Sequence, residues 1–349
     1  KDLPKSIQSR TKFIITYSKK TERTIFKMIK VGIIGGAGYT AGELIRILLN
    51  HPQVELVFVN STSNAGNKLY DVHGGLLGDT EMSFTDQLPY DKIDVLFFCT
   101  AHGDTKKFLD ANKVPEHLKI VDLSTDYRHK AEGNKFVYGL PELNKDQIVK
   151  AKYIANPGCF ATAIQLALLP LAKAGLINSE IHVNAITGST GAGVKPSATG
   201  HFSWRENNIS VYKAFEHQHL QEISESLIQL QNDFSPYINF IPVRGNFTRG
   251  IFASVYLDFD GTEEDAQKLY KDFYESCPFT IVTDKNPDLK QVVNTNKCIV
   301  HVEKHGNKLL ILSCIDNLLK GASGQAVQNM NLIFGLEETA GLKLKASAF

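Results

Sequence analysis

The feature that most restricts the fold of this 349-residue chain is a short apolar segment that leads directly into a glycine-rich turn. Residues Ile29 to Ile34 are typical of a buried β-strand, and leucine and isoleucine recur at helical spacing over 44–49. The turn between them reads G-x-x-G-x-x-A, from Gly35, Gly38 and Ala41. Small residues let backbone amides approach a pyrophosphate at a helix N-terminus, where the helix dipole favours anions. The pattern therefore predicts a dinucleotide-binding βα unit. Its candidate cofactor-binding residues are Gly35, Gly36, Ala37, Gly38, Tyr39 and Thr40.

The alternation of strands and helices continues over the first half of the chain. Apolar segments at 55–59, 93–99 and 119–123 predict further strands, and 103–111 predicts a helix between two of them. This order favours a Rossmann-type, doubly wound parallel sheet. Ligands of such sheets lie beyond the carboxyl ends of the strands. The candidate cofactor-binding residues at those ends are Ser61, Thr62, Ser63, Thr100, His102 and Ser124.

The residues that follow the second predicted strand bear on the choice of cofactor. An NAD-selective site usually has Asp or Glu there, which bonds the ribose 2′-hydroxyl. Here residues 60–64 read Asn-Ser-Thr-Ser-Asn, without an acid, and Lys68 follows. We therefore expect NADP, used as NADPH, with these hydroxyls and Lys68 near the 2′-phosphate. The alternative is a polar surface loop whose hydroxyls only cap turns.

Cys159 is the strongest candidate for a nucleophile. It follows Asn156-Pro157-Gly158 and precedes a predicted helix, 160–169, which we expect to stop at Pro170. A helix N-terminus stabilises a thiolate and is expected to lower the thiol pKa. A thiolate attacks acyl carbons and forms a thioester that hydride can reduce. The alternative is a structural cysteine packed in the core, which is the commoner fate of this residue.

The second half of the chain has a different pattern. Residues 177–315 contain several predicted strands and few long helices, which suggests an α+β domain with a mainly antiparallel sheet. The clearest predicted strands are 181–186, 251–259, 298–302 and 308–315.

Two histidines, His217 and His219, lie at the start of an amphipathic segment in this second half. Apolar residues recur at helical spacing over 220–230 and mark the buried face of a helix. If that helix includes His219, Glu222 lies three residues further on and can orient the imidazole. We favour His219 over His217 as general acid and base, with Glu222 as its partner. The alternative is a pair of surface histidines at a helix start.

Charge is distributed unevenly along the chain, although the formal net charge is only +1. Residues 1–27 contain eight Lys/Arg and two Asp/Glu, a net of +6, so the other 322 residues contain 30 and 35, a net of −5. This mildly acidic body argues against nucleic-acid binding, and no apolar run approaches the ~20 residues that span a membrane. We expect residues 1–27 to be a basic extension, disordered or not native, with Met28 the natural start. A transit peptide is the alternative.

The five cysteines are odd in number and widely spaced, without a CxxC or a Cys/His metal spacing. Neither a disulfide framework nor a metal site is therefore expected. A reducing compartment, the cytoplasm, is favoured.

Longer motifs connect these separate observations. The candidate nucleophile lies in IANPGCFATAIQLALLP, and the glycine turn lies in GGAGYTAGELIRILLNHP. Further motifs are VDLSTDYR at 121–128, YGLPEL at 138–143, TGSTGAGVKP at 187–196, EHQHLQEI at 216–223, TRGIF at 248–252 and DNLLKGASGQAVQNMNLIFGL at 316–336. In kind and order these resemble the N-acetyl-γ-glutamyl-phosphate reductase family of arginine biosynthesis, which has the fold of the aspartate-semialdehyde dehydrogenases. The resemblance covers essentially all of residues 28–349. Ala41 and Asn64 depart from it, since the family often has Gly and Arg there.

The resemblance implies an NADPH-dependent reduction of N-acetyl-γ-glutamyl phosphate to the 5-semialdehyde and inorganic phosphate, through a thioester on Cys159. It also implies that the segment at 216–223 supplies the active-site histidine and that the second sheet forms a homo-oligomer, a dimer or tetramer. The same chemistry on an N-succinyl-glutamyl, aspartyl or aminoadipyl phosphate stays open. So does a non-catalytic, NADP-sensing regulator.

These observations predict three parts of the chain: the extension 1–27, an NADP-binding domain of 28–157 and 320–349, and a catalytic and dimerisation domain of 158–319. By the resemblance, the last predicted helix, 321–334, returns to the cofactor domain. Further candidates for cofactor contacts are Gly191, Asn317 and Asn329. The residues expected to hold the anionic substrate are Asn156, Arg128, Ser189, Lys195, Arg249 and Lys320.

Overall fold

The computed structural model describes residues 28–235 and 237–347, which form two sheets with their own helices. The expectations for residues 1–27 lie outside the described residues. Across the described ranges, no helix combines the length and apolar character that a membrane span requires.

The first sheet has six strands, and every neighbouring pair is parallel. The strands are β1 (Ile29–Ile34), β2 (Val54–Asn60), β3 (Val95–Phe98), β4 (Lys119–Asp122), β5 (Val137–Tyr138) and β6 (Tyr153–Ala155). Their order is β2-β1-β3-β4-β6-β5, so the winding direction reverses between β1 and β3. This confirms the predicted doubly wound parallel sheet. In such sheets the reversal opens a crevice beyond the carboxyl ends of the two strands concerned.

Helices cover both faces of this sheet, as successive residues of β3 show. Val95 and Phe97 belong to one apolar core, whereas Leu96 and Phe98 belong to another. Side chains alternate between the faces of a strand, so a strand buried on both faces reads as a continuous apolar run. The helices of this half are α1 (Tyr39–Leu49), α2 (Leu69–Val72), α3 (Asp104–Ala111) and α4 (Pro141–Ile148).

The second sheet has seven strands in the order β11-β12-β13-β10-β7-β9-β8. Four neighbouring pairs are antiparallel and two are parallel, so the prediction of a mainly antiparallel sheet is confirmed. The strands are β7 (Ile181–Thr187), β8 (Ser210–Val211), β9 (Ile238–Arg244), β10 (Ile251–Asp258), β11 (Thr280–Val282), β12 (Cys298–His305) and β13 (Lys308–Ile315). The accompanying helices are α5 (Cys159–Lys173), α6 (Phe202–Arg205), α7 (His219–Leu230) and α8 (Glu263–Tyr274).

Helix α5 packs between this sheet and helices α7 and α8, and it continues past the point at which we expected it to stop. Pro170 lies inside the helix, and the expectation that it ends the helix is wrong. Proline cannot donate a hydrogen bond to the carbonyl four residues earlier, which here belongs to Leu166. The Tyr274 hydroxyl donates to that carbonyl instead, at 2.5 Å. A side chain from a distant helix thus replaces the missing backbone bond.

The chain returns to the first sheet after β13. A π-helical turn, Leu319–Ser323, leads into α9 (Gly324–Ile333). Leu319, Val327 and Met330 belong to the same core as α1 and β1. The π-helical turn itself packs against the start of α5, so Gly321 lies beside Cys159.

Candidate active site

A cleft of about 580 Å³ lies where the two halves of the chain meet. One wall consists of the β1–α1 turn and the segment after β3. The other wall consists of the first residues of α5 and α7, the loop after β7 and the end of β9. Within the described residues, the lining contains Arg128, Lys195, Lys213 and Arg244 but no Asp or Glu. The cleft therefore suits an anionic ligand.

The β1–α1 turn has the geometry that a dinucleotide pyrophosphate requires. Gly35 has φ +81°, and a Cβ there would lie 2.8 Å from the backbone of Cys99. Gly38 caps the N-terminus of α1 without a side-chain hydrogen bond, and a Cβ there would meet nothing within 4 Å. The first turn of α1 contains no acidic residue. Open backbone amides at a helix N-terminus fit a nucleotide cofactor.

The structure separates the other predicted cofactor residues into two groups. Ser124 is fully buried and donates a hydrogen bond to Asp122, and Asn329 is fully buried and donates to the Asn156 side chain at 3.1 Å. These two residues support the site from behind rather than face the cleft. Asn156 itself lines the cleft. The predicted residues that line the cleft are Gly38, Tyr39, Thr40, Thr100, His102, Gly191 and Asn317.

The segment after β2 holds the hydroxyl groups expected near a 2′-phosphate. Thr62 and Ser63 are exposed, and Asn64 donates hydrogen bonds to the hydroxyls of Ser61 and Ser63 at 3.0 and 3.1 Å. Lys68, by contrast, donates to the carbonyl of Glu81 at 2.6 Å and lies 3.3 Å from its carboxylate. Its charge is therefore already paired on the surface.

Cys159 is the first residue of α5 and lines the cleft. Gly321, from the π-helical turn, packs so closely that a Cβ on it would lie 2.7 Å from the Cys159 Cβ. Burial raises the pKa of the Cys159 thiol to about 11, against smaller lowering effects of the Phe160 amide and the Arg128 charge. The expectation that the helix terminus lowers this pKa overall is therefore wrong for the free protein. This shift predicts a thiol rather than a thiolate at Cys159 in the free protein.

Glu222 lies between the predicted nucleophile and the predicted acid and base. Its buried carboxylate accepts a hydrogen bond from the Gly158 amide at 3.1 Å and another from the Tyr138 hydroxyl at 2.8 Å. Arg128 donates to its other oxygen at 3.3 Å, and His219 Nε2 lies 3.8 Å from that same oxygen. One carboxylate thus binds the turn before Cys159 and lies next to the imidazole of His219.

The two histidines have different surroundings. His219 opens α7 and packs against Gly158 so closely that a Cβ on the glycine would lie 2.4 Å from Nε2. His217 accepts a hydrogen bond through Nδ1 from the His219 amide, the first amide of α7, at 3.2 Å. Burial lowers the pKa of His219 well below its usual range, with a further contribution from Arg128. Burial and the nearby charge of Lys213 lower the pKa of His217 to about 4. Both rings are neutral near pH 7.

Of the four cations predicted to bind the substrate, two line the cleft and two do not. Arg128 and Lys195 line the cleft, although Arg128 is paired with Glu222. Lys320 is fully buried and paired with Glu142 at 2.8 Å, and Arg249 is paired with Glu43 and Asp316. These two do not line the cleft, so both expectations of substrate contact are corrected, because internal carboxylates already neutralise these charges. Ser189 lies in the turn beside the cleft and is not part of its lining.

Sequence reasoning missed Arg244, Tyr212 and Lys213, which all line the cleft. It also missed Tyr138 as a partner of Glu222. The segment IPVRG at 241–245 contained a weak signal, since Arg244 is the one charged residue at the end of an apolar strand. Within the described ranges, no group of three or more His, Cys, Asp or Glu side chains is arranged to hold a metal ion.

The chain is similar to known dehydrogenases and reductases over most of its length. Residues 30–151 match the family model "Semialdehyde dehydrogenase, NAD binding domain", and residues 159–317 match "Semialdehyde dehydrogenase, dimerisation domain". The chain is 67% identical over 322 residues to the N-acetyl-gamma-glutamyl-phosphate reductase of Parabacteroides distasonis and 66% identical to that of Bacteroides thetaiotaomicron. It is 60% identical over 326 residues to that of Flavobacterium johnsoniae. Each alignment covers 92% of this chain and 100% of the relative.

Solved structures with the same fold are more distant in sequence. Aspartate semialdehyde dehydrogenase II from Vibrio cholerae, complexed with ASA, superimposes with a TM-score of 0.69 at 16% identity. The Candida albicans enzyme with NADP gives 0.68 at 15% identity. Both cover 88% of this chain and 99% of the other. The two-domain fold is thus that of semialdehyde dehydrogenases, and the high identity to full-length relatives shows that the chain belongs to the N-acetyl-γ-glutamyl-phosphate reductase family of oxidoreductases.

Proposed function

We propose that the protein reduces N-acetyl-γ-glutamyl phosphate with NADPH, giving N-acetyl-glutamate 5-semialdehyde and inorganic phosphate. The observation that carries this proposal is the position of Cys159. It opens α5 in a cleft lined by cations, and His219 packs against the preceding glycine. This arrangement brings together a nucleophile, a proton carrier and positive charge for an acyl phosphate.

The first step forms a thioester. As the Cys159 sulfur attacks the γ-carbonyl carbon, His219 Nε2 takes the thiol proton, and phosphate leaves with the electrons of the bond to the acyl carbon. The raised pKa of the thiol and the lowered pKa of the imidazole mean that the free protein holds this proton on sulfur. Glu222, 3.8 Å from Nε2, and the negative substrate stabilise the imidazolium that forms.

The second step reduces the thioester. Gly38, Tyr39 and Thr40 at the β1–α1 turn would hold a nicotinamide cofactor, which would supply the hydride for the thioester carbon. His219 Nε2 then donates its proton to the developing oxygen anion, and backbone amides at the start of α5 stabilise that charge. When the carbon–sulfur bond breaks, Nε2 accepts the hydroxyl proton and the aldehyde leaves. Cys159 regains a proton from His219, so the pair returns to its starting state.

NADP rather than NAD is proposed as the cofactor. The support is the absence of an acidic residue at 60–64 and the exposed hydroxyls of Thr62 and Ser63 at the end of β2. Lys68 would have to leave Glu81 to reach a 2′-phosphate. We expect the kcat/KM for NADPH to exceed that for NADH. A lower value for NADPH would contradict this assignment.

The proposal includes the organisation of the protein. Residues 28–157 and 320–349 would bind the cofactor, and residues 158–319 would supply Cys159, His219 and the oligomer contact. The match to a dimerisation-domain model supports a homo-oligomer. All five cysteines are free, which suits a reducing compartment such as the cytoplasm. Size-exclusion chromatography with light scattering tests the oligomer, and a monomer at micromolar concentration would contradict it.

The experiment that tests the function runs the reaction in reverse. The protein is given NADP, phosphate and N-acetyl-glutamate semialdehyde, and the absorbance of reduced nicotinamide is followed. N-succinyl-glutamate and aspartate semialdehydes run in parallel, each with and without phosphate. The proposal expects phosphate-dependent reduction of NADP with the acetylated substrate, and loss of the signal in Cys159→Ala. If another semialdehyde were preferred, that compound would be assigned as the substrate instead. If none of them gave a phosphate-dependent signal, the reaction class would be refuted.

A further inference from the structure

His73 lies beside the glycine turn, and no step of the proposed reaction uses it. It directly follows α2, and its backbone amide donates to the Leu69 carbonyl at 2.9 Å. Its imidazole reaches the β1–α1 turn, where Nε2 lies 2.7 Å from the carbonyl oxygen of Gly36. Because a carbonyl oxygen can only accept, Nε2 carries the proton and donates this hydrogen bond. A side chain 37 residues further along the chain thus holds one peptide group of the turn.

Packing against two neighbours fixes the position of this imidazole. One neighbour is α1, where a Cβ on Gly42 would lie 2.7 Å from Nδ1 of His73. The other is the buried ring of Phe84, whose centroid lies 6.1 Å from that of the imidazole. The absence of a side chain at position 42 therefore provides the space that the His73 ring occupies.

The peptide group that His73 holds follows two consecutive glycines. Glycine reaches backbone conformations that other residues avoid, and Gly35 adopts one of them, with φ +81°. The Gly36 amide donates to the Asn60 carbonyl at 2.8 Å, and the Gly36 carbonyl accepts from His73. These two hydrogen bonds hold residue 36 at both of its peptide groups, which limits the freedom that the glycines allow.

The orientation of the Gly36 carbonyl determines where the next amide points. The peptide bond between Gly36 and Ala37 is trans, so its N–H points away from its C=O. The Ala37 N–H is therefore directed away from His73. Among the residues that the structure describes, no acceptor takes a hydrogen bond from it. This amide is available to a ligand, and Gly38, the next residue, lines the cleft.

From this geometry, we infer that His73 is a positioning residue for the cofactor. By holding the Gly36 carbonyl, it directs the Ala37 amide toward the pyrophosphate of the dinucleotide that would bind at this turn. An amide that is oriented before the ligand arrives reduces the conformational cost of binding. The inference rests on the cofactor binding in the proposed function. It adds a residue that raises cofactor affinity through the backbone of the turn.

Direct binding of NADPH, measured by fluorescence titration, tests this role without turnover. His73→Phe keeps a ring but removes the donor, and His73→Gln keeps an N–H group. Gly42→Ala displaces the imidazole without removing it, because the new Cβ would meet Nδ1. Gly74→Ala is the matched control, since a Cβ there meets nothing within 4 Å. Adenosine 2′-monophosphate, which lacks the pyrophosphate, is titrated as a competitor, and thermal unfolding checks that each variant is folded.

We expect His73→Phe to raise the Kd for NADPH by about 3- to 10-fold, as the loss of one hydrogen bond predicts. Gly42→Ala should raise it in the same direction, His73→Gln should raise it less, and Gly74→Ala should leave it unchanged. The affinity for adenosine 2′-monophosphate should be the same in all of these proteins. In steady-state kinetics, the KM for NADPH should rise in His73→Phe while kcat stays unchanged, a split that a general loss of stability would not produce.

Two results would overturn the role of His73. One is an unchanged Kd for NADPH in both His73→Phe and Gly42→Ala. The other is an equal loss of affinity for adenosine 2′-monophosphate, which would place the effect of His73 at the 2′-phosphate instead. An unsubstituted protein that does not bind NADPH would refute the proposed cofactor first, and this inference with it.

Discussion

The carboxylate of Glu222 accepts a hydrogen bond from the backbone amide of Gly158, at 3.1 Å. Glu222 lies on α7 and Gly158 lies immediately before Cys159 on α5, so one buried bond joins the helix of the proposed acid and base to the helix of the proposed nucleophile. The other carboxylate oxygen lies 3.8 Å from His219 Nε2. Glu222 therefore contacts both the turn before Cys159 and the imidazole of His219.

Glu222→Gln is expected to lower both stability and turnover. The substitution leaves the buried Arg128 without its carboxylate, which typically costs about 3–5 kcal/mol of unfolding free energy. The turnover number should fall because the imidazolium of His219 loses its partner. Urea unfolding and steady-state kinetics measure the two effects. Glu225→Gln on the same helix is the matched control, because Glu225 is partly exposed and should cost under about 1 kcal/mol. Equal free energies of unfolding for Glu222→Gln and Glu225→Gln would contradict a stabilising ion pair between Arg128 and Glu222.

Two glycines beside the nucleophile should not tolerate a methyl group. A Cβ at position 158 would lie 2.4 Å from His219 Nε2, and one at position 321 would lie 2.7 Å from the Cys159 Cβ. Gly158→Ala and Gly321→Ala should therefore lose most activity, although neither removes a reactive group. Gly75→Ala is the control, because a Cβ there meets nothing within 4 Å. Normal kcat in Gly158→Ala would show that His219 is not held as described.

The parts of this site that depend on local spacing could be predicted from the sequence. The position of Cys159 at a helix start follows from Pro-Gly before it and an apolar helix after it. The proximity of His219 and Glu222 follows from their spacing of three residues on a helix. The strand, glycine turn and helix that open the first domain form a similarly local signal.

The parts that depend on tertiary pairing could not be predicted. Arg244 and Arg249 are five residues apart, but Arg244 reaches the cleft and Arg249 is neutralised by Glu43 and Asp316, which come from distant segments. Lys320 is also neutralised by a distant residue, because its partner Glu142 lies 178 residues earlier in the chain. The predicted direction of the Cys159 pKa shift was wrong for a related reason. Its dominant cause is burial by the rest of the fold, which a helix start alone does not reveal.

Alkylation of the free protein should report a thiol at position 159. Because burial raises the pKa of Cys159 to about 11, the rate of labelling with iodoacetamide should rise about tenfold per unit between pH 7 and pH 9. Mass spectrometry of the Cys159 peptide measures this rate. Cys277 also has a pKa of about 11, so Cys159→Ala supplies the background. A rate that does not change with pH over this range would show a preformed thiolate.

Stability should decline as the pH falls, in part because of His217. Its pKa is about 4 in the folded protein and near 6.5 when unfolded, so unfolding takes up a proton between these values. The contribution of neutral His217 to the free energy of unfolding is fully present above pH 6.5. As the pH falls from 6.5 toward 4, this free energy decreases by at most about 1.4 kcal/mol per pH unit. His217→Asn keeps an acceptor for the His219 amide and should flatten the dependence. Urea unfolding at several pH values measures it, and the exposed His117→Asn is the control. If the unfolding free energy depended on pH equally in the unsubstituted protein, His217→Asn and His117→Asn, the lowered pKa of His217 would be contradicted.

The thioester on Cys159 can be trapped as an acyl-enzyme when no hydride donor is present. The protein is mixed with N-acetyl-γ-glutamyl phosphate without any nicotinamide cofactor, and intact mass and released phosphate are measured together. We expect one acyl-glutamyl group per chain, located on Cys159 by peptide mapping, with an equal amount of phosphate released and neither signal in Cys159→Ala. Sustained turnover with NADPH but no adduct on Cys159, or an adduct on another residue, would contradict it.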